Sequence, residues 1–197
     1  VIAGAWEGPA DTAAMTLWRV VGGERVMLLD RVSPGTRVVD WHAPINTDYS
    51  YEVVAESAMG TASADTFPGR LAGERAYLLF GWDGERYEVA RAKWSPEASA
   101  SGTRPGRELV WYAGATAPVC YDDGSRRVEH ALAAVLMTSE QAEAFRGLMG
   151  EPWCVYKGLR GEVARVVCDV TLTPEIPRTG PWGRVSVRMT EIGGDAL

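Results

Sequence analysis

Hydrophobic and polar residues alternate along most of this chain, and turn residues interrupt the alternation at short intervals. The segment "YSYEVVAE" (residues 49–56) places Tyr49, Tyr51, Val53 and Ala55 on one face of a strand, which we expect to be buried. Similar runs include "MTLWRVV" and "RVMLLD", which are joined by the Gly-rich turn "GGE", and the later "GRVSVRMTEI". This spacing predicts a mainly β protein built from antiparallel sandwich-like sheets.

One segment, "TSEQAEAFRGLMGEP", has helical periodicity instead. Thr138 and Gln141 have the spacing of a capping box, and Gly150 and Pro152 are typical helix stop signals. We therefore predict one substantial helix over residues 139–149, packed on a sheet. The apolar face expected to be buried consists of Ala142, Phe145, Leu148 and Met149.

The order of these segments predicts two β domains and a connector. Residues 1–67 read as short strands and form the first domain. Residues 68–107 contain a hairpin turning at Asp83-Gly84 and the Ser/Gly/Pro-rich stretch "SPEASASGTRPGRE", which we interpret as a linker loop. Residues 108–197 form the second β domain, which carries the helix.

Tyr49 stands at the start of a strand, just after the loop "HAPINTD". Sandwich domains bury a tyrosine ring at such a corner while its hydroxyl bonds to loop backbone, and we expect the same of Tyr49. With Trp6 as an early core tryptophan, "LWRV" as the third strand and "YSYEVVA" as the penultimate strand, residues 1–67 resemble a fibronectin type III domain. The first strand of such a domain has no counterpart here, so we expect a sheet edge that is open or covered by another chain.

The composition is that of a folded globular protein. Hydrophobic residues make up 46% of the chain and charged residues 23%, and the net charge is −6 at pH 7. The basic residues are scattered, which gives no footprint for nucleic acid. No apolar run reaches the roughly 18–20 residues of a membrane span, and "VIAGAWEGPAD" lacks the pattern of a signal peptide. We expect a protein that folds in a cytoplasm, without membrane insertion or nucleic-acid contact.

Few residues are suited to catalysis or metal binding. The two histidines are His42, in the corner loop, and His130, within an apolar strand, and we expect both to be structural. Cys120, Cys154 and Cys168 have no CxxC spacing and lie in strand-like sequence, which is typical of buried reduced thiols. "YDDGSRR" lacks the spacing of a calcium loop, and no phosphate-binding or nucleophile motif is present. We expect no catalytic residues, no cofactor and no metal.

Eight tryptophans are many for 197 residues. Trp6, Trp18 and Trp111 fall within alternating apolar strands and are expected in the core. Others lie at turns or linker edges, where tryptophan and arginine are frequent contact residues. The candidate contact residues for assembly or ligand binding are Trp82, Trp94, Arg104, Arg107 and Trp182.

Taken in order, the motifs resemble a family of minor tail proteins from tailed bacteriophages of actinobacterial type hosts. The N-terminal half of the resemblance rests on Leu17 to Val20, Gly22 to Arg25, Asp40, Trp41, Ala43, Pro44, Tyr49 and Tyr51. The C-terminal half rests on "APVCYDD", the single helix after a long strand, "GLRG" and the closing "GRVSVRMTEI". The resemblance covers nearly the whole chain, and its second domain is similar to the building block of tail tubes and distal tails.

The resemblance implies a non-catalytic structural protein of the virion tail tip, assembled in the host cytoplasm. Its implied partners are other phage tail proteins, and copies of the chain are expected to form a homo-oligomeric ring. One alternative is a receptor-binding adhesin that holds a host cell-surface glycan through the surface tryptophans. A further alternative is an accessory domain of a glycan-degrading enzyme.

Overall fold

The structure is a computed structural model and describes residues 2–6, 8–60, 62–94, 100–114, 116–174 and 183–193. Its named strand pairs are all antiparallel, and the mainly β class that the sequence predicts is confirmed. The elements are β1 (Ile2–Gly4), β2 (Thr12–Val21), β3 (Glu24–Val32), β4 (Val38–Asp40), β5 (Asp48–Ser57), β6 (Ala62–Arg70), β7 (Tyr77–Phe80), β8 (Glu88–Arg91), β9 (Lys93–Trp94), β10 (Ala100–Val110), β11 (Val119–Leu136), α1 (Ser139–Leu148), β12 (Cys154–Lys157), β13 (Val163–Pro174) and β14 (Gly183–Glu191).

The first six strands form two sheets with a shared apolar core. Strands β3, β2, β5 and β6 are neighbours in that order, and β1 pairs with β4 in a separate two-stranded sheet. Met15, Leu17 and Val53 of the larger sheet are buried. Trp6, which follows β1, and Val38 of β4 pack against them. This arrangement is a small sandwich; its specific likeness to a fibronectin type III domain stays a prediction.

The remaining strands form one sheet that closes on itself. Its order is β10-β11-β14-β13-β12-β7-β8. Only Ala92 separates β8 from β9, and β9 pairs with β11 through Trp94 and Ala134. Because β11 is also paired with β14 on its other side, the strands from β11 round to β9 make a closed, barrel-like ring. We call this ring the barrel.

Alternation along each strand decides what fills the barrel. In β14, Val185, Val187 and Met189 are buried, whereas Arg184 and Arg188 between them are exposed. The same period of two in β11 buries every second side chain from residue 130 to residue 136. The barrel core therefore follows directly from the pattern in the sequence.

The interpretation of residues 68–107 as a connector is wrong in two places. The hairpin at Asp83-Gly84 exists, but its strands β7 and β8 are part of the barrel, and Leu78 and Phe80 are buried in the barrel core. The second error concerns "SPEASASGTRPGRE", because residues 100–108 lie in strand β10. Their composition is typical of a loop, but they form a strand because β10 pairs with β11 from Ala100 to Val110.

Helix α1 forms where the sequence predicts it, and its boundaries agree within one residue. Thr138 is the N-cap, and its hydroxyl accepts a hydrogen bond from the backbone N–H of Gln141. Phe145 and Leu148 are buried against the barrel, where the helix contacts β8, β11 and β13. Met149 is the exception to the predicted buried face, since it is the C-cap and lies exposed at the helix end.

Tyr49 is buried as expected, at 6% exposure, but the expected hydrogen bond from its hydroxyl to loop backbone is not found among the described residues. Its ring lies directly over Gly69, where an added Cβ would come within 2.4 Å of the ring. Within the described ranges, the Tyr49 hydroxyl meets no partner with hydrogen-bond geometry. Tyr51 makes the polar contact instead, because its hydroxyl donates to Asp40 Oδ2 at 2.9 Å.

Two further expectations about buried side chains are wrong. Trp111 is 66% exposed, whereas Trp6, which follows β1, and Trp18 of β2 are partly buried. Cys120 is exposed, although Cys154 is buried and Cys168 is partly so. Trp111 and Cys120 lie close to the connection between β10 and β11, where the strands have left the barrel.

Candidate interaction surface

Strands β10 and β11 form a long hairpin, here called the β10–β11 hairpin. The two strands pair from Ala100 with Ala131 to Val110 with Val119, with a bulge near Pro105. Strand β14 pairs with β11 only from residue 129 onward. Among the described strands, the part of β11 from 119 to 128 is paired with β10 alone. Isolated two-stranded hairpins are marginally stable in water, so this extension is a candidate for contact with another chain.

The far end of the hairpin carries a group of exposed apolar side chains, here called the tip patch. The Tyr112 and Tyr121 hydroxyls lie 2.7 Å apart across it. Leu109 pairs with Cys120, so Leu109 lies on one face of the ribbon, whereas Val119 and Tyr121 lie on the other. Single exposed apolar residues are ordinary, but several at one end of a two-stranded ribbon make that end a candidate interaction site. The tip patch consists of Leu109, Trp111, Tyr112, Val119 and Tyr121, which are between 45% and 66% exposed.

Both predicted contact arginines lie on this hairpin. Arg104 is exposed and forms an ion pair with Glu129 across the two strands, with 3.0 Å between Nε and Oε2. Arg107 is exposed and pairs in register with Asp122. The sequence predicts these arginines as part of a loop, and the structure brings them onto one strand that leads to the tip patch.

The three predicted contact tryptophans have different outcomes. Trp82 lies in the β7–β8 turn, is 48% exposed, and has its ring 4.6 Å from the Tyr87 ring. The backbone of Trp94 lies in β9, which closes the barrel. Trp182 falls outside the described residues. Trp82 is therefore separated from the hairpin and packs against a side chain of its own turn.

A buried polar cluster that the sequence does not reveal surrounds Asp40. Arg19 Nη1 lies 2.7 Å from Asp40 Oδ1, and both side chains are at most 4% exposed. The backbone N–H of His42 donates to the same oxygen at 3.0 Å, and the Tyr51 hydroxyl donates to the other oxygen. Asp40 thus ties strands β2, β4 and β5 together. The second tyrosine of "YSY" therefore takes part in a buried hydrogen-bond network.

The loop from residue 41 to residue 47, here called the corner loop, contacts the barrel through its backbone and its aromatic side chains. Lys157 Nζ donates to the Trp41 carbonyl oxygen at 3.0 Å, and Trp41 Nε1 donates to the carbonyl oxygen of Glu85 at 3.2 Å. His42 Nε2 lies 3.3 Å from the Tyr87 hydroxyl. These bonds join the sandwich region to β12 and to the β7–β8 turn.

Asn46 extends the same contact. Its φ is 57°, and its side-chain amide donates to the carbonyl oxygens of Gly73 and Leu159 at 2.9 and 3.1 Å. Gly161 packs so closely on Thr47 that an added Cβ would lie 2.0 Å from the Thr47 hydroxyl. The segment "HAPINTD" therefore contacts the barrel, and it directly follows the Asp40 cluster of the sandwich region.

The different roles of the Tyr49 and Tyr51 hydroxyls in β5 have a simple test. Tyr51→Phe removes a hydroxyl bonded to a buried carboxylate and is expected to lower the free energy of unfolding by about 1.5–3 kcal/mol. Tyr49→Phe removes a buried hydroxyl without such a bond and is expected to change it by less than about 0.5 kcal/mol. Urea unfolding of both variants measures the difference. Equal losses would contradict the assignment of the two hydroxyls.

Burial shifts the titration of two bases at this contact. It lowers the pKa of His42 below its usual value, although the Asp40 carboxylate opposes the shift. Burial also lowers the pKa of Lys157 from 10.5 to about 8, although the charge of Asp40 raises it in part. Below pH 8, Lys157 is charged in both states, but the charge is buried in the folded protein and lies in water in the unfolded chain. Burial of this charge therefore lowers the free energy of unfolding by its full amount below pH 8. Between pH 8 and 10.5 the unfolded chain binds more protons, and stability rises.

The Lys157 effect is expected to appear as a pH-dependent difference between two proteins. From pH 7.5 to 9.5, the free energy of unfolding of the natural protein should rise by about 2 kcal/mol relative to that of Lys157→Met. The subtraction removes groups that both proteins share, including the tyrosines. Urea unfolding at the two pH values gives both quantities. A relative change that is zero or negative would contradict the buried charge.

A serine, a histidine and a carboxylate lie in line at the base of the hairpin. Ser101 Oγ is 2.8 Å from His130 Nδ1, and His130 Nε2 is 2.8 Å from Glu191 Oε1. His130 is only 4% exposed and packs on the Tyr156 ring at 4.7 Å. With both ring nitrogens engaged and the ring buried, we interpret His130 as a link between β10, β11 and β14. It lies in a strand, as the sequence predicts.

Within the described ranges, no group of three or more His, Cys, Asp or Glu side chains is placed to hold a metal ion. In the part of the chain that the structure describes, no helix is long and apolar enough to cross a membrane. No protein-family model matches the chain, and comparisons with curated proteins and with solved structures give no significant match.

Proposed function

We propose that this chain is a non-catalytic structural component of a bacteriophage tail tip, where copies form a ring and bind other tail proteins. The observation that carries the proposal is the β10–β11 hairpin, which projects from the barrel as a two-stranded ribbon with an exposed apolar end. The order of sequence motifs that resembles minor tail proteins supplies the biological setting.

The hairpin supports assembly for two physical reasons. First, an edge strand is a template for another chain, and among the described strands β10 pairs with β11 alone. Second, the tip patch keeps aromatic and aliphatic surface in water, which contact with a partner would remove. In a ring, each copy contacts one neighbour through its hairpin and receives the hairpin of the other neighbour on a different surface.

The first experiment measures the mass of the purified full chain by light scattering over a range of concentrations. We expect a multimer of defined size, with obligate contacts that bury more than about 2,000 Å². Trp111→Ser should shift the distribution toward the monomer. Met59→Ser, which changes a methionine that is 92% exposed in the β5–β6 turn, is the matched control and should not. A monomer at all concentrations would contradict the homo-oligomeric ring.

Cys120 provides a natural probe of the same surface. It is exposed and pairs with Leu109 at the tip patch. We expect N-ethylmaleimide to modify Cys120 rapidly in the monomer and slowly in the assembly, as read by peptide mass spectrometry. Equal rates in both states would mean that the hairpin lies outside the interface.

The receptor-binding alternative depends on the same aromatic side chains. Trp111, Tyr112 and Tyr121 offer faces on which sugar rings stack in carbohydrate-binding proteins, and an adhesin would use them without forming a ring. A glycan array probed with the monomer distinguishes the two functions. Specific glycan binding that Trp111→Ser abolishes, together with a monomeric mass, would favour the adhesin.

A further inference from the structure

Two cysteines that are far apart in the sequence meet inside the barrel. Cys154 opens β12 and Cys168 lies in β13, and their Sγ atoms are 3.1 Å apart. Cys154 pairs in register with Val166, so Cys168 is its diagonal neighbour on the adjacent strand. A disulfide has an S–S distance of about 2.05 Å, so the two sulfurs need to approach by only about 1 Å.

We propose that Cys154 and Cys168 are a disulfide-forming pair, which a small oxidised disulfide such as oxidised glutathione converts into an intramolecular bond between β12 and β13. The proposal is independent of the assembly function, because neither residue belongs to the β10–β11 hairpin. It also separates these two cysteines from Cys120, whose exposed side chain lies on that hairpin.

The reaction balances in two thiol–disulfide exchanges. Cys168 is the more accessible of the two, so its thiolate attacks the small disulfide, which releases one small thiol and leaves a mixed disulfide on Cys168. The Cys154 thiolate then attacks the Cys168 sulfur and releases the second small thiol. Two protein thiols are oxidised and one small disulfide is reduced to two thiols. The hydrogen bond with Cys168, together with burial, raises the pKa of Cys154, so the second exchange should be faster at higher pH.

The bond would fasten a short strand in the middle of the barrel. Strand β12 pairs with β13 over four positions, from Cys154 to Lys157. The same strand carries Tyr156, against His130, and Lys157, against the corner loop. A covalent link at its first residue limits how far β12 can separate from β13, and the unfolded chain loses the conformational freedom of the closed loop.

The experiment incubates the folded full-length protein with oxidised glutathione, then denatures it and alkylates the remaining thiols with N-ethylmaleimide. We expect three alkylated cysteines before oxidation. Afterwards we expect a linked peptide pair that contains Cys154 and Cys168, while the exposed Cys120 is either alkylated or carries glutathione. The Cys120→Ser variant should form the bond equally well. The Cys168→Ser variant should keep two free thiols or carry a glutathione adduct.

Other outcomes would overturn the proposal. These are three alkylated cysteines after oxidation, a stable glutathione adduct on Cys168 in the natural protein, or a linked pair that includes Cys120. A thermal measurement adds an independent criterion: the oxidised protein should have a Tm several degrees higher, and dithiothreitol should reverse the change. A linked protein with a lower Tm would show that the bond does not fit the native strands.

Discussion

Replacing Asp40 by asparagine is expected to lower the free energy of unfolding by about 3–5 kcal/mol. The variant keeps the shape of the side chain but removes the charge that faces Arg19, and the Arg19 side chain is 4% exposed. The loss of this carboxylate is costly because the guanidinium is buried and its attraction to the negative charge offsets its removal from water. The hydrogen bonds from Tyr51 and from the His42 backbone would also lose their ionised acceptor. Urea unfolding with the linear extrapolation measures the loss.

An exposed ion pair in the four-stranded sheet of the sandwich is the matched control. Asp48 and Arg70 lie 2.6 Å apart on β5 and β6, but both side chains are more than half exposed. Asp48→Asn should therefore cost less than about 1 kcal/mol. The double variant with Arg19→Met and Asp40→Asn should lose less than the sum of the two single variants. Equal losses from Asp40→Asn and Asp48→Asn would contradict the structural role of the Asp40 cluster.

Replacing Phe145 by alanine is expected to destabilise the protein by about 3–5 kcal/mol. The ring is fully buried in the barrel core, on the helix face that also carries Ala142 and Leu148. Removing it takes away apolar surface and leaves a cavity that the surrounding strands cannot fill without moving. Urea unfolding measures the change in the free energy of unfolding.

Met149→Ala is the control for the helix. Met149 is the next large apolar residue after Leu148, and it is 56% exposed. Its replacement should change stability by less than about 0.5 kcal/mol. If Phe145→Ala cost less than about 1.5 kcal/mol, or no more than Met149→Ala, the packing of α1 on the barrel would be wrong.

The features that the sequence predicts well are those with local causes. Helix α1 combines a cap at Thr138, an apolar period of 3.6 and stop signals within one short segment. The β7–β8 turn is determined by Asp83, whose Oδ1 accepts the backbone N–H groups of Glu85 and Arg86. In β14 the alternation itself places the valines inside the barrel. None of these requires knowledge of a distant partner.

The features that the sequence misses depend on residues far away in the chain. Strand β10 has the composition of a loop and is made a strand by its pairing with β11. Trp111 follows an alternating run of residues. Alternation does not show whether a second layer of structure covers the strand, and Trp111 is exposed. The Asp40 cluster joins side chains 21 positions apart, and Cys154 meets Cys168 only because β12 pairs with β13.

The proposed interaction surface was only partly accessible from the sequence. Arg104 and Arg107 were identified as contact candidates, although for their position in a supposed loop, and they lie on the hairpin. The sequence does not reveal the tip patch, because Trp111 has the pattern of a core strand residue. The polar stretch from Asp122 to Arg127, which precedes the apolar half of β11, is the sequence signal that this part of the strand lies outside the barrel.

Electron cryo-microscopy of the assembled protein, alone or in a tail particle, tests the assembly role most directly. We expect a closed ring in which the β10–β11 hairpin of each copy contacts a neighbour, with Trp111 and Tyr121 buried between chains. An assembly in which the hairpin and its tip patch remain in solvent, while the chains meet through other surfaces, would contradict the proposed interface.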